Sequence, residues 1–91
     1  MRFSFDAAKC VGNLKKHGFD LADAPQVMAS GQTVTFEDWR FAYGEERFVT
    51  LGPLGETLVA RVTAETEDNI HIISMRKADR HEQALYRENS R

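Results

Sequence analysis

The chain has 91 residues, 42% of them hydrophobic and 29% charged, with a formal net charge of −2. That length allows one domain over residues 1–91, and the composition is that of a folded chain, not a disordered one. No apolar run approaches the roughly 20 residues of a membrane span, Met1-Arg2-Phe3-Ser4-Phe5-Asp6 lacks the apolar core of a signal peptide, and the single cysteine, Cys10, excludes an intrachain disulfide and a cysteine-built metal cage; a cytoplasmic protein is expected.

Arg2-Phe3-Ser4-Phe5 alternates polar and aromatic residues and predicts a short strand. Asp6 is a good helix N-cap and Gly18 a good stop. Between them Ala7, Cys10, Val11 and Leu14 recur at helical spacing and predict the buried stripe. Lys15, Lys16 and His17 fall in the last turn, where the helix dipole favours cations. Residues 19–28 predict a second helix facing the core through Leu21, Ala24, Val27 and Met28. Pro25 suits only a first turn, so this helix either begins near Asp23 or is kinked. Ser30-Gly31 ends it.

Thr33–Phe36 predicts a strand, and Glu37–Gly44 a loop carrying Trp39, Phe41 and Tyr43. Arg47–Leu51 predicts a strand, Gly52-Pro53-Leu54-Gly55 a turn, and Thr57–Thr63 another strand. An acidic turn, Glu65–Asn69, leads into the strand Ile70–Arg76. Three strands joined by short connections predict an antiparallel meander. Asp79 and Glu82 have the spacing of a capping box, so a last helix follows, with an apolar seam of Ala78, Leu85 and either His81 or Glu82. The final residues, Glu88 to Arg91, are expected to fray. The expected fold class is α+β, ordered β-α-α-β-β-β-β-α, with two N-terminal helices packed on an antiparallel sheet and a C-terminal helix.

Charge is unevenly spread. Residues 1–36 carry four cations and three acids, residues 37–68 three cations and eight acids, and residues 69–91 five cations and three acids. Both ends are mildly basic and the middle is acidic, which suits a local positive face for RNA or an acidic face for a basic partner. The richest stretch is Ile70–Glu82, where a β-branched strand runs into Arg76, Lys77, Arg80 and His81 beside a helix start. Such a junction is a good place to hold a phosphodiester, and it is also a common way to end a sheet.

Five motifs follow one another along the chain: Phe3-x-Phe5-Asp6-x-x-Lys9, Asn13-x-x-Lys16-His17-Gly18, Gly44-Glu45-Glu46-Arg47, Ile72-Ile73-Ser74-x-Arg76-x-Ala78 and Glu82-x-x-x-Tyr86. In this order and spacing they resemble the BrnT toxin family of type II toxin–antitoxin systems, from Phe3 to Tyr86. The resemblance implies a RelE-like ribonuclease fold. It implies a toxin that blocks translation by cleaving RNA. It also implies a BrnA-type antitoxin with a ribbon-helix-helix part, through which alone operator DNA would be met. Where the family pattern has tryptophan this chain has Phe5, where it has arginine this chain has His71, and Ala64-Glu65-Thr66 lacks a cation that is common there.

RNA cleavage without a metal or other cofactor needs an activated 2′-OH, a stabilised phosphorane and a protonated leaving oxygen. His71 is the candidate for proton transfer and Arg76 for phosphate binding, with Arg47 as a further cation at the site. The alternatives are a solvated strand histidine, a strand-end arginine, and an Arg47 paired with Glu45 or Glu46. A regular strand sends His71 and Arg76 to opposite faces; a bulge would unite them. Arg61 is expected on the open face of the sheet. Lys16, His17, Lys77, Arg80 and Tyr86 are candidate RNA contacts. Lys16 and His17 equally suit the helix C-terminus, Tyr86 equally suits an anchor for the last helix, and Glu82 suits the capping box. Trp39, Phe41 and Tyr43 suit a protein partner. No metal-ligand spacing is present, so no metal is expected. A metal-independent endoribonuclease and a degenerate, antitoxin-binding module are both compatible with these residues. A metal-dependent nuclease fits less well, because the histidines and acids are scattered.

Overall fold

The computed structural model describes residues 2–38 and 46–89. Trp39, Phe41, Tyr43, Gly44 and Glu45 lie outside the described residues, as do Ser90 and Arg91. Strand β1 (Arg2–Phe5) leads into helix α1 (Ala7–His17). The Asp6 carboxylate accepts from the Lys9 N–H at 3.1 Å. At the other end Gly18 takes a left-handed φ of 79° and its N–H donates to Leu14 O. A 3₁₀ turn at Leu21–Asp23, capped by Asp20, precedes helix α2 (Ala24–Ala29). Pro25 therefore sits in a first turn, where its missing N–H costs nothing.

Strands β2 (Val34–Glu37), β3 (Glu46–Leu54), β4 (Thr57–Glu65) and β5 (Asn69–Lys77) follow, then helix α3 (Arg80–Asn89). The five strands form one sheet in the order β1-β5-β4-β3-β2. Strands β2 to β5 pair antiparallel, but β1 pairs with β5 in parallel. The expectation of a wholly antiparallel sheet is corrected at that edge. Two helices, not a hairpin, separate β1 from the meander, so nothing forces it to run opposite to its neighbour.

Alternation along the strands splits the sheet into two covered faces. On one, α2 and the turn before it bury Leu21, Ala24 and Val27 against Val59, Ile72 and Met75. On the other, α3 brings Ala78, Leu85 and Tyr86 onto Val49, Leu51 and Ala60. Each fully buried aliphatic side chain contributes roughly 1.5–3 kcal/mol. Tyr86 also donates its hydroxyl to Gln32 O at 2.8 Å, so it anchors α3 at the β2 edge.

Three expectations are overturned. The predicted turn at Gly52-Pro53-Leu54-Gly55 is mostly strand, because β3 pairs with β4 as far as Leu54 opposite Thr57. The reversal is made at Gly55, with φ of 62°. Gly52 is in the strand because a Cβ there would lie 2.8 Å from Val27 Cγ1, so α2 approaches closely only over a glycine. Arg61, expected on an open face, is 1% exposed beneath α2 and donates to Ala24 O at 3.3 Å. Its Nε meets no acceptor among the described residues. Burial pushes its guanidinium pKa down, and Glu65 offsets part of that.

The third concerns α1. Val11 is 57% and Leu14 49% exposed, whereas Asn13 is buried. Strand β1 ends opposite Ile72, which leaves the outer edge of β5 unpaired beyond it. The Asn13 carboxamide fills that edge. Its Oδ1 accepts from the Met75 N–H at 3.1 Å, and its Nδ2 donates to Met75 O at 2.8 Å and to Phe19 O at 2.9 Å. These bonds turn α1 toward Asn13 and carry Val11 and Leu14 outward. Asn13→Ala leaves two backbone groups of Met75 without partners, so urea unfolding should show a loss of about 2–4 kcal/mol. Leu14→Ala should cost less than about 1 kcal/mol. Equal losses would contradict this docking.

Candidate functional site

Strand β5 carries one more residue than β4 at its middle. Val62 pairs with Ser74 but Thr63 pairs with Ile72, so Ile73 is the extra residue. The resulting bulge shifts the side-chain alternation by one. Ile70, Ile72 and Met75 all face the α1–α2 side, while His71, Ser74 and Arg76 all face the α3 side. The two candidates that a regular strand would separate thus share a face.

That face has a legible grid. Arg47 on β3 is paired with Ala64 on β4, Ala64 with His71 on β5, and His71 with Ser4 on β1. The four side chains form one row across the sheet, with Arg47 and His71 about 10 Å apart at Cα, two strand spacings. Ala64, between them, carries only a methyl side chain. Two rows further on, Arg76 pairs with Ala60, beside the start of α3.

His71 is held on one side. Ser4 Oγ lies 2.9 Å from its Nδ1, and Asn69 Nδ2 donates to the same Oγ at 3.2 Å. Arg76 is held more firmly. Its two terminal nitrogens donate to the two oxygens of Glu82 at 2.6 and 3.0 Å, and one also reaches Lys77 O at 3.4 Å. Glu82 also closes the capping box: Oε1 accepts the Asp79 N–H at 2.9 Å, and the Glu82 N–H donates to Asp79 Oδ1 at 2.8 Å. Burial raises the pKa of this carboxyl. The hydrogen bonds from Arg76 and the Asp79 backbone, with the charge of Arg76, outweigh burial and hold it below the ordinary glutamate value of 4.5.

Between β2, β3 and the start of α3 lies an open hollow of about 350 Å³, lined by Phe36, Val49, Arg76, His81 and four acids, Glu37, Asp38, Asp79 and Glu82. Asp38 is buried, and its N–H donates to Arg47 O at 2.8 Å. The hollow is therefore richer in carboxylates than in cations. The adjoining row carries Arg47 and His71.

The remaining candidates are dispersed. Lys16 and His17 end α1, which packs on the opposite side of the sheet. Lys77 and Tyr86 line a second hollow of about 390 Å³ with Glu56, Gln83 and Arg87. Arg80 is exposed at the start of α3. Ser4 and Asn69 were not indicated by any motif. The only signal for Ser4 is its place between Phe3 and Phe5, which sends it to the opposite face from them. Among the described residues, no group of three or more His, Cys, Asp or Glu side chains is gathered as for a metal ion, and no helix is long and apolar enough to cross a membrane.

Residues 5–82 match a family model described as "Ribonuclease toxin, BrnT, of type II toxin-antitoxin system". No curated protein matches the chain. The match covers Arg47, His71, Arg76 and Glu82 and begins one residue after Ser4.

The depressed pKa of Glu82 links stability to acid pH. Its contribution is complete above the ordinary glutamate pKa and is lost as pH falls through the lower folded value. Glu82→Gln should therefore flatten the acid limb of a stability–pH curve measured by urea unfolding. At pH 7 it should cost about 1–3 kcal/mol through the weakened bond to Arg76. An unchanged acid limb would show that Glu82 is not the linked group.

Proposed function

Because the chain belongs to the BrnT family of ribonuclease toxins of type II toxin–antitoxin systems, we propose that it is a metal-independent endoribonuclease acting on the α3 side of its sheet. The observation that supports this is the bulge at Ile73, which sets His71 and Arg76 on the same face as Arg47. In this reading the 2′-oxygen attacks the phosphorus and the 5′-oxygen leaves. The products are a 2′,3′-cyclic phosphate and a 5′-hydroxyl end. Arg47 neutralises charge on the phosphorane. His71 serves proton transfer through Nε2, since Nδ1 is taken up with Ser4. Arg76, tied to Glu82, fixes the helix start beside the substrate.

The fold is read as RelE-like, with α1 and α2 behind the sheet and substrate beside α3 in front. The partner is an antitoxin of the BrnA ribbon-helix-helix kind, operator DNA is met only through it, and the outcome of RNA cleavage is a block of translation. Lys77 and Arg80, exposed at the junction of β5 and α3, are further contacts for the RNA backbone in this reading.

A second reading has its own support. Four acids share the hollow at Arg76, which suits a catalytically degenerate member that binds antitoxin and cleaves nothing. The two readings separate in one assay. Purified chain incubated with RNA in the presence of a chelator should yield fragments ending in 2′,3′-cyclic phosphate by mass spectrometry. His71→Ala should lower the rate by about 10²–10⁴-fold, and Arg47→Ala should also lower it strongly. Undiminished cleavage by both variants would remove this site from the reaction. Absence of cleavage together with tight antitoxin binding would favour the second reading.

A further inference from the structure

We propose that Ser4, backed by Asn69, is a positioning residue that keeps a proton on His71 Nε2, so that His71 works as a proton donor and not as the base that takes the 2′-OH proton. This rests on the nuclease reading above, but its central statement concerns which ring nitrogen carries the proton.

The hydrogen-bond chain is directional. Asn69 Nδ2 donates to Ser4 Oγ at 3.2 Å. An amide nitrogen only donates, so Oγ accepts there and its own hydrogen is left to give. Its other neighbour is His71 Nδ1 at 2.9 Å. In neutral His71 the arrangement that gives that hydrogen a partner makes Nδ1 the acceptor and places the ring proton on Nε2, the tautomer that Ser4 favours. When His71 is protonated, Nδ1–H donates to Oγ, which has a second lone pair for it, and Nε2 again carries a proton. In both states Nε2 offers a donor toward the row shared with Arg47.

The chemistry balances on this basis. The 2′-O–P bond forms as the O5′–P bond breaks, and the 2′-OH proton passes to solvent water. The imidazolium gives its Nε2 proton to the 5′-oxygen. The ring is left transiently with its proton on Nδ1, donated to the second lone pair of Ser4 Oγ; uptake of a solvent proton at Nε2 restores the imidazolium, and loss of the Nδ1 proton returns the resting neutral tautomer. Placing Ser4 opposite His71 requires the parallel pairing of β1 with β5, so the first strand of the chain acts on the last.

The test uses the full chain labelled with ¹⁵N. Two-bond proton–nitrogen correlation spectra of the imidazole, recorded where His71 is neutral, should show Nδ1 without and Nε2 with a proton. In Ser4→Ala the ring should shift to a mixture of both tautomers while the backbone amide spectrum stays that of the native fold. RNA cleavage by this variant should fall roughly tenfold to a hundredfold, the range expected when a group orienting a histidine is removed, with KM little changed. Ser4→Thr, which keeps the hydroxyl, should restore both the tautomer and the rate. A wild-type ring protonated at Nδ1 alone, or a tautomer indifferent to Ser4→Ala, would overturn the proposal. The spectra decide this whether or not the chain cleaves RNA. Loss of the nuclease reading is seen separately, as full activity of His71→Ala or no activity in the wild type.

Discussion

Strand β5 holds one residue more than its neighbour β4 needs, and three parts of the molecule are arranged around that surplus. Strand β1 stops pairing at Ile72, the bulge falls at Ile73, and the Asn13 carboxamide takes over the vacant edge at Met75. A side-chain amide has the donor and acceptor of a peptide group, so Asn13 acts as one residue of an additional strand. It fixes the phase of β5 beyond the bulge and so decides which side chains enter the core under α2. Slipping the register by one would send Met75 to the α3 face and Arg76 into an apolar core.

Charges are handled differently on the two sides of the sheet. Beneath α2, Arg61 is buried with one carbonyl bond and a distant offset from Glu65, an arrangement that costs stability unless geometry is favourable. On the α3 side, Arg76, Glu82 and Asp79 are joined so that a helix cap and an ion pair share one carboxylate. Arg76 gains a fixed direction in exchange for most of its net charge. Arg47 and His71 are two rows away from that carboxylate, and His71 is held by Ser4 of β1.

Local signals were legible in the sequence. Asp6 and Gly18 bounded α1, Asp79 and Glu82 marked the start of α3, and the meander followed from the short connections between its strands. Features set by distant pairing were not. The apolar spacing of Val11 and Leu14 pointed the wrong way because one polar side chain docks α1 better than a stripe of aliphatics does. Gly52-Pro53 resembled a turn, but the glycine answers a steric demand from Val27. Arg61 lay among residues typical of an exposed face, and only the register shows α2 above it. At the site, His71, Arg76 and Arg47 were readable as chemistry. Their shared face depended on the bulge, and Ser4 could be found only once β1 was placed next to β5.

That placement joins residues 67 positions apart in the chain, Ser4 and His71. Synthesis delivers the amino end first, so Ser4 and α1 emerge long before the strand that completes them. Until β5 arrives, Asn13 has no backbone to clamp and Arg47 has no histidine in its row. A product lacking residues beyond 68 would lack His71, Arg76 and the β5 edge that Asn13 clamps. The proposed chemistry would then belong only to chains translated past β5.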